Sequence, residues 1–88
     1  MMNFDNTISG KTIANNLRAE RNRIKMTQEE AARKLGITLR TYVSYEEDAS
    51  KVKATTLYLL SKIYNCNVSD FFYKTTSQNV NTVKEQEE

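Results

Sequence analysis

Apolar side chains recur at spacings of three and four through the middle of the chain and never alternate in strand-like runs, so the pattern predicts helices. Ile13, Leu17 and Ile24 form the apolar stripe of a first helix, which Ser9 or Thr7 can cap and which runs to about Lys25. Arg18, Arg23 and Lys25 stay in water, and the cationic last turn suits the helix dipole. Thr27 opens a second helix at Gln28, and Glu30 three residues later completes a capping box in which each side chain satisfies the other's backbone N–H. Ala31, Ala32 and Leu35 lie on one face and Glu29, Arg33 and Lys34 on the other. Gly36, which takes a left-handed conformation without strain, stops the helix. After Ile37, Thr38 caps a third helix at about 38–47, with Tyr42 and Tyr45 inside and Leu39, Arg40, Val43 and Ser44 largely outside.

The polar connection EDASKVKA follows, with Lys51 and Lys53 exposed, and then a fourth helix from about Ala54 to Tyr64. Its inner side carries Ala54, Leu57, Leu60, Ser61 and Tyr64. Asn65 suits a left-handed helix end. Asn67 and Asp70 cap a short helix, VSDFFY, whose Val68, Phe71 and Phe72 close the bottom of the core. Residues 1–8 show no period and are expected to form a loose arm before a domain at 9–74. Residues 75–88 are polar and acidic and are expected to be a disordered tail.

Two short helices joined at Gly36 make a helix-turn-helix pattern. The stretch Thr27–Glu46 resembles that of the lambda-repressor-like (Xre/Cro-type) transcription regulators: Thr27-Gln28 opening the first helix, Ala32 where the helices cross, Gly36 in the turn, Ile37 after it, Thr38 as second cap and Tyr45-Glu46 near the end. The likeness extends without a gap from about residue 11 to about residue 73. It implies a compact all-α, five-helix DNA-binding domain. It also implies a sequence-specific regulator of double-stranded DNA, a repressor of phage, mobile-element or small-operon origin that binds a pseudo-palindromic operator as a homodimer.

The resemblance also assigns roles. Arg21 and Glu46 take the places of an internal ion pair between the first and third helices. Gln28 takes that of a phosphate clamp, beside the free N–H groups of a helix start at Thr27. Thr38, Leu39, Arg40, Val43 and Ser44 fall where base readers lie, and Arg40 is the most informative, because a guanidinium pairs bidentately with guanine O6 and N7. Lys51, Lys53, Arg18 and Arg23 are further phosphate candidates. Glu47 and Asp48 depart from the family pattern and would repel phosphate if they pointed outward; Val52 and Lys53 stand where a proline and a cap are usual.

Eighty-eight residues with 39% hydrophobic content allow one domain with a small core. Tyr58, Leu59, Ile63, Phe71, Phe72 and Tyr73 exceed what that core can bury, and such a surplus marks an interface; Tyr58, Phe71, Phe72 and Tyr73 are the candidate dimer contacts. The net charge of +2 divides into +4 over residues 1–74 and −2 over 75–88, so the folded part is the basic part. With no histidine and one cysteine, Cys66, neither an internal disulfide nor a zinc site is expected, and Cys66 reads as a buried thiol. No glycine-rich phosphate loop or pair of acids in a cleft points to an enzyme, and no cofactor is implied. Without a signal sequence or a membrane-length apolar run, the chain reads as cytoplasmic. The rival function is a protein-interaction module on the same fold, an antitoxin or adaptor using the third helix and the acidic tail.

Overall fold

The computed structural model describes residues 8–73, so the expected arm, apart from Ile8, and the expected acidic tail lie outside the described residues. Four helices, α1 (Gly10–Arg23), α2 (Gln28–Leu35), α3 (Leu39–Glu47) and α4 (Ala54–Tyr64), precede a 3₁₀ turn at Val68–Phe71. The described chain is thus all-α. None of its helices is long and apolar enough to cross a membrane.

Local chemistry sets both ends of most elements. Ser9 Oγ accepts from the Thr12 N–H at 3.1 Å, and Thr38 Oγ1 from Thr41 at 3.1 Å. The box at α2 closes in both directions, Thr27 Oγ1 accepting from Glu30 N–H at 3.0 Å and Glu30 Oε1 from Thr27 N–H at 2.8 Å. Three helices end in the same way. The residue after the last turn adopts a left-handed conformation, at Lys25 (φ 59°), Gly36 (φ 75°) and Asn65 (φ 56°). The next N–H then reaches back to a carbonyl five residues earlier: Met26 to Arg21, Ile37 to Ala32, Cys66 to Ser61. With the hydrogen bond that the left-handed residue itself donates three residues back, this is the Schellman arrangement, and it stops α1 at Arg23, two residues before the end expected from its polar pattern.

The fifth element also differs from expectation. A helix over VSDFFY would need its carbonyls to bond onward; instead Asp70 and Phe72 donate three residues back, giving a single 3₁₀ turn. The carbonyls of Phe71 and Tyr73 accept from the side-chain amide of Asn16, at 2.9 and 2.5 Å. This buried asparagine of α1 thereby ties the end of the described chain to the first helix.

The core is Ala14, Leu17, Ala31, Ala32, Tyr42, Ala49, Leu57, Leu60, Tyr64 and Phe71. Alanines at 14, 31 and 32 keep α1 and α2 close to their neighbours, and the large rings fill the centre, Tyr64 meeting Phe71 edge-on at 6.2 Å. Phe71 has no exposed surface, so it belongs to this core and leaves the set of dimer contacts; a ring that closes the bottom of a small core has no face left for a partner. Cys66 is half-buried against the core, and burial pushes its thiol up to about 11, which keeps it protonated and unreactive at neutral pH.

Gly10 is where α1 meets the loop after α3. Its carbonyl accepts from Ala49 N–H at 3.0 Å, and a β-carbon there would lie 2.1 Å from Asp48 Oδ1 and 2.6 Å from the Ser50 nitrogen. At Gly36 the space is open and only the backbone conformation demands glycine. The two glycines therefore separate by experiment. Gly10→Ala is expected to destabilise by about 1–3 kcal/mol through backbone displacement. Gly36→Ala should cost about 1–2 kcal/mol through the left-handed conformation alone, with Gly36→Asn recovering part of it. Urea unfolding midpoints at constant slope check both.

Candidate nucleic-acid interface

The inner side of α3 ends in a buried carboxylate. Glu46 is 3% exposed and accepts four hydrogen bonds: from Arg21 Nε at 2.6 Å and Arg21 Nη2 at 3.0 Å, from Gln28 Nε2 at 3.1 Å, and from the Tyr42 hydroxyl. Tyr42 is in turn bonded to the Tyr64 hydroxyl. One side chain of α3 is therefore joined to α1 through Arg21, to α2 through Gln28 and to α4 through the two phenols. Arg21 also donates from Nη1 to the Met26 carbonyl at 2.7 Å, which fixes the turn between α1 and α2. Arg18 Nη2 donates to the Glu46 backbone carbonyl at 2.9 Å, so α1 holds both the side chain and the main chain of this residue.

Burial alone would push the Glu46 carboxyl up, but the hydrogen bonds from Arg21, Tyr42 and Gln28, with the Arg21 charge, outweigh it and hold the group below its ordinary range. The bond to Glu46 holds the Arg21 guanidinium charged. Burial raises both phenols, Tyr64 to about 12, so they remain hydrogen-bond donors at any physiological pH.

The outer side of α3 is different. Leu39, Arg40, Val43, Ser44 and Glu47 line an open groove of about 430 Å³ on the surface. Arg40 is exposed and has no hydrogen bond or ion pair among the described residues. Leu39 is 41% exposed and Val43 half-buried. Ser44 Oγ donates to the Thr41 carbonyl at 2.6 Å and Thr38 Oγ1 is taken up by the helix cap, so both hydroxyls have local work.

The phosphate candidates scatter. Gln28 sits at the start of α2, with one amide N–H on Glu46 and the second without a partner among the described residues. Thr27 beside it is the cap. Lys51 and Lys53 are exposed on the connection to α4, where Lys53 occupies the cap position without a side-chain bond to the helix. Arg18 is half-exposed beside the end of α3. Arg23 is placed elsewhere: it donates to Glu20 at 2.7 Å and to the Tyr64 carbonyl at 2.6 Å, which secures the C-terminus of α4. It lines a cleft of about 570 Å³ with Glu20, Ser61, Lys62, Asn65, Cys66, Asn67 and Asp70, to which α3 contributes nothing, and so it leaves the set of contacts near α3.

Sequence reasoning missed Asn16, Gly10 and the hydroxyl of Tyr64. For Asn16 a signal existed, because an amide three residues after Ile13 on the apolar stripe must find a buried partner. Among the described residues no three His, Cys, Asp or Glu side chains gather as metal ligands.

Residues 17–71 match the helix-turn-helix family profile. No curated protein matches the chain in sequence. Among solved structures, it is similar to hydroxypropylphosphonic acid epoxidase from S. wedmorenis, with a TM-score of 0.70, 19% identity and coverage of 76% of this chain and 36% of that one. FeII HppE in complex with substrate gives 0.69 and 18%, covering 83% and 41%. The chain thus spans well under half of those proteins, and at such identity the likeness is one of fold alone.

The buried network is open to two measurements. Arg21→Ala strands the Glu46 charge and is expected to cost about 3–5 kcal/mol by urea unfolding at neutral pH. Because Glu46 binds its proton less tightly folded than unfolded, its contribution is full above the ordinary glutamate value of 4.5 and is lost as pH falls through the depressed folded value. Glu46→Gln should remove that part of the acid slope of stability, while Glu30 and Asp48, also held low, keep the rest.

Proposed function

The chain belongs to the helix-turn-helix family of DNA-binding regulators, and from that premise we propose that it reads a specific double-stranded DNA site by seating α3 in the major groove. Arg40 carries this reading. It stands exposed and unpartnered on the outer side of a helix whose inner side is held by three others. A five-donor guanidinium on a rigid helix is suited to guanine O6 and N7, and Leu39 and Val43 beside it are suited to thymine methyl groups. Thr38, at the start of α3, and Ser44, which lines the same groove, are the hydroxyl-bearing candidates for base contact. Gln28, Thr27, Lys51, Lys53 and Arg18 then supply phosphate contacts, which set register rather than sequence.

The protein acts as a homodimeric repressor in this proposal. Tyr58, Leu59 and Tyr73 are 53%, 51% and 67% exposed, and with half-buried Phe72 they offer apolar surface to a second copy. Two α3 helices about 34 Å apart would meet half-sites one duplex turn apart. Repression asks nothing more of the protein than occupancy of a promoter.

Exposed Leu39 favours one rival, a protein-interaction module that uses α3 and the acidic tail. One experiment separates them: selection from random-sequence duplexes at two salt concentrations. The regulator should retain an inverted repeat, and Arg40→Ala should weaken binding by about 1–3 kcal/mol with loss of one guanine preference. Lys51→Ala and Lys53→Ala should each lower the log–log salt slope by about 0.9 without changing the selected sequence. A chain that retains no duplex at low salt would be the interaction module.

A further inference from the structure

Three acids stand in a row at the end of α3, and the structure gives each a different place. Glu46 points into the core. Asp48 leaves the helix in an extended conformation and its Oδ1 accepts from the Ser50 N–H at 2.9 Å. Glu47 alone is exposed without a partner among the described residues, and it lines the same groove as Leu39, Arg40, Val43 and Ser44.

Glu47 is seven residues after Arg40, which returns it to nearly the same helical face. The axial separation is about 10 Å, or about three base-pair steps along a groove. Its position is also unfavourable for the helix: the last turn of α3 holds no basic residue, and a carboxylate there opposes the negative end of the dipole. A departure from local preference with no internal partner to offset it is what a residue kept for function would show.

We propose that Glu47 is a specificity-determining residue that accepts a hydrogen bond from the exocyclic amino group of a cytosine in the major groove, about three base pairs from the guanine read by Arg40. This rests on the placement of α3 in the groove. A carboxylate has only acceptors, so it favours the cytosine N4 donor and is repelled by the N7 and O6 edge of guanine. Arg40 and Glu47 then form a donor and an acceptor at the two ends of one stripe, and together they fix the direction in which α3 lies along the site.

The test uses the full chain, the duplex recovered by selection and every single-base variant of that duplex. The native protein should favour cytosine at one position by about 5- to 150-fold, three base pairs from the position whose preference depends on Arg40. Glu47→Ala should lose that preference and keep the guanine preference, and Glu47→Gln should move it toward adenine, which an amide pairs with bidentately. If both variants keep the native preference at every position and simply bind all duplexes more tightly, Glu47 acts by repelling phosphate and the proposal is overturned. Failure of the native protein to retain any duplex overturns the groove placement itself, a distinct result.

Discussion

A single buried carboxylate orders this domain. Glu46 cannot remain charged at 3% exposure unless its oxygens are fully satisfied, and the donors that satisfy it come from α1, α2, α3 itself and, through Tyr42, α4. Each helix must therefore approach at the distance and rotation that completes the set. The attraction between Arg21 and Glu46 is largely offset by the loss of water from both charges, so the network contributes little net stability for its size. What it contributes is geometry. Apolar packing of alanines against rings would tolerate several crossing angles, whereas a two-pronged arginine contact at 2.6 and 3.0 Å tolerates few.

That constraint divides α3 into two halves with separate duties. Tyr42, Tyr45 and Glu46 do the holding, with Arg18 donating to the Glu46 carbonyl from outside. Leu39, Arg40, Val43, Ser44 and Glu47 are then free of structural work, apart from the backbone bond of Ser44, and their identities can be chosen for what they meet. Function on such a scaffold lies in a handful of exposed side chains.

How much of this was legible in the sequence follows from how local each interaction is. The capping box at Thr27 and Glu30, the caps at Ser9 and Thr38, the turn at Gly36 and the left-handed end at Asn65 depend on residues within a few positions of one another, and each stands where the pattern put it. The early end of α1 was hidden because lysine is a poor marker for a left-handed residue, yet Lys25 adopts that conformation. Contacts across the fold were hidden for a different reason. Nothing near Gly10 announces that the loop at 48–50 packs on it, and Arg23 looks like any surface cation until the α4 carbonyls appear beside it. Phe71 and Tyr73 are two residues apart with the same composition signal, and only the turn between them sends one into the core and leaves the other in water. The row of acids at 46–48 was likewise ambiguous, since a charge sum has no direction and three successive helix-end residues point three ways.

The most direct test of the central claim, that a rigidly held α3 presents its outer face to DNA, is to map amide chemical-shift changes by nuclear magnetic resonance as duplex DNA is added at low salt. The changes should concentrate at Leu39–Ser44, the start of α2 at Gln28 and the connection at Lys51–Lys53, while the cleft around Arg23, Asn65 and Cys66 stays unperturbed. Changes centred on that cleft, or none at any accessible DNA concentration, would contradict the claim.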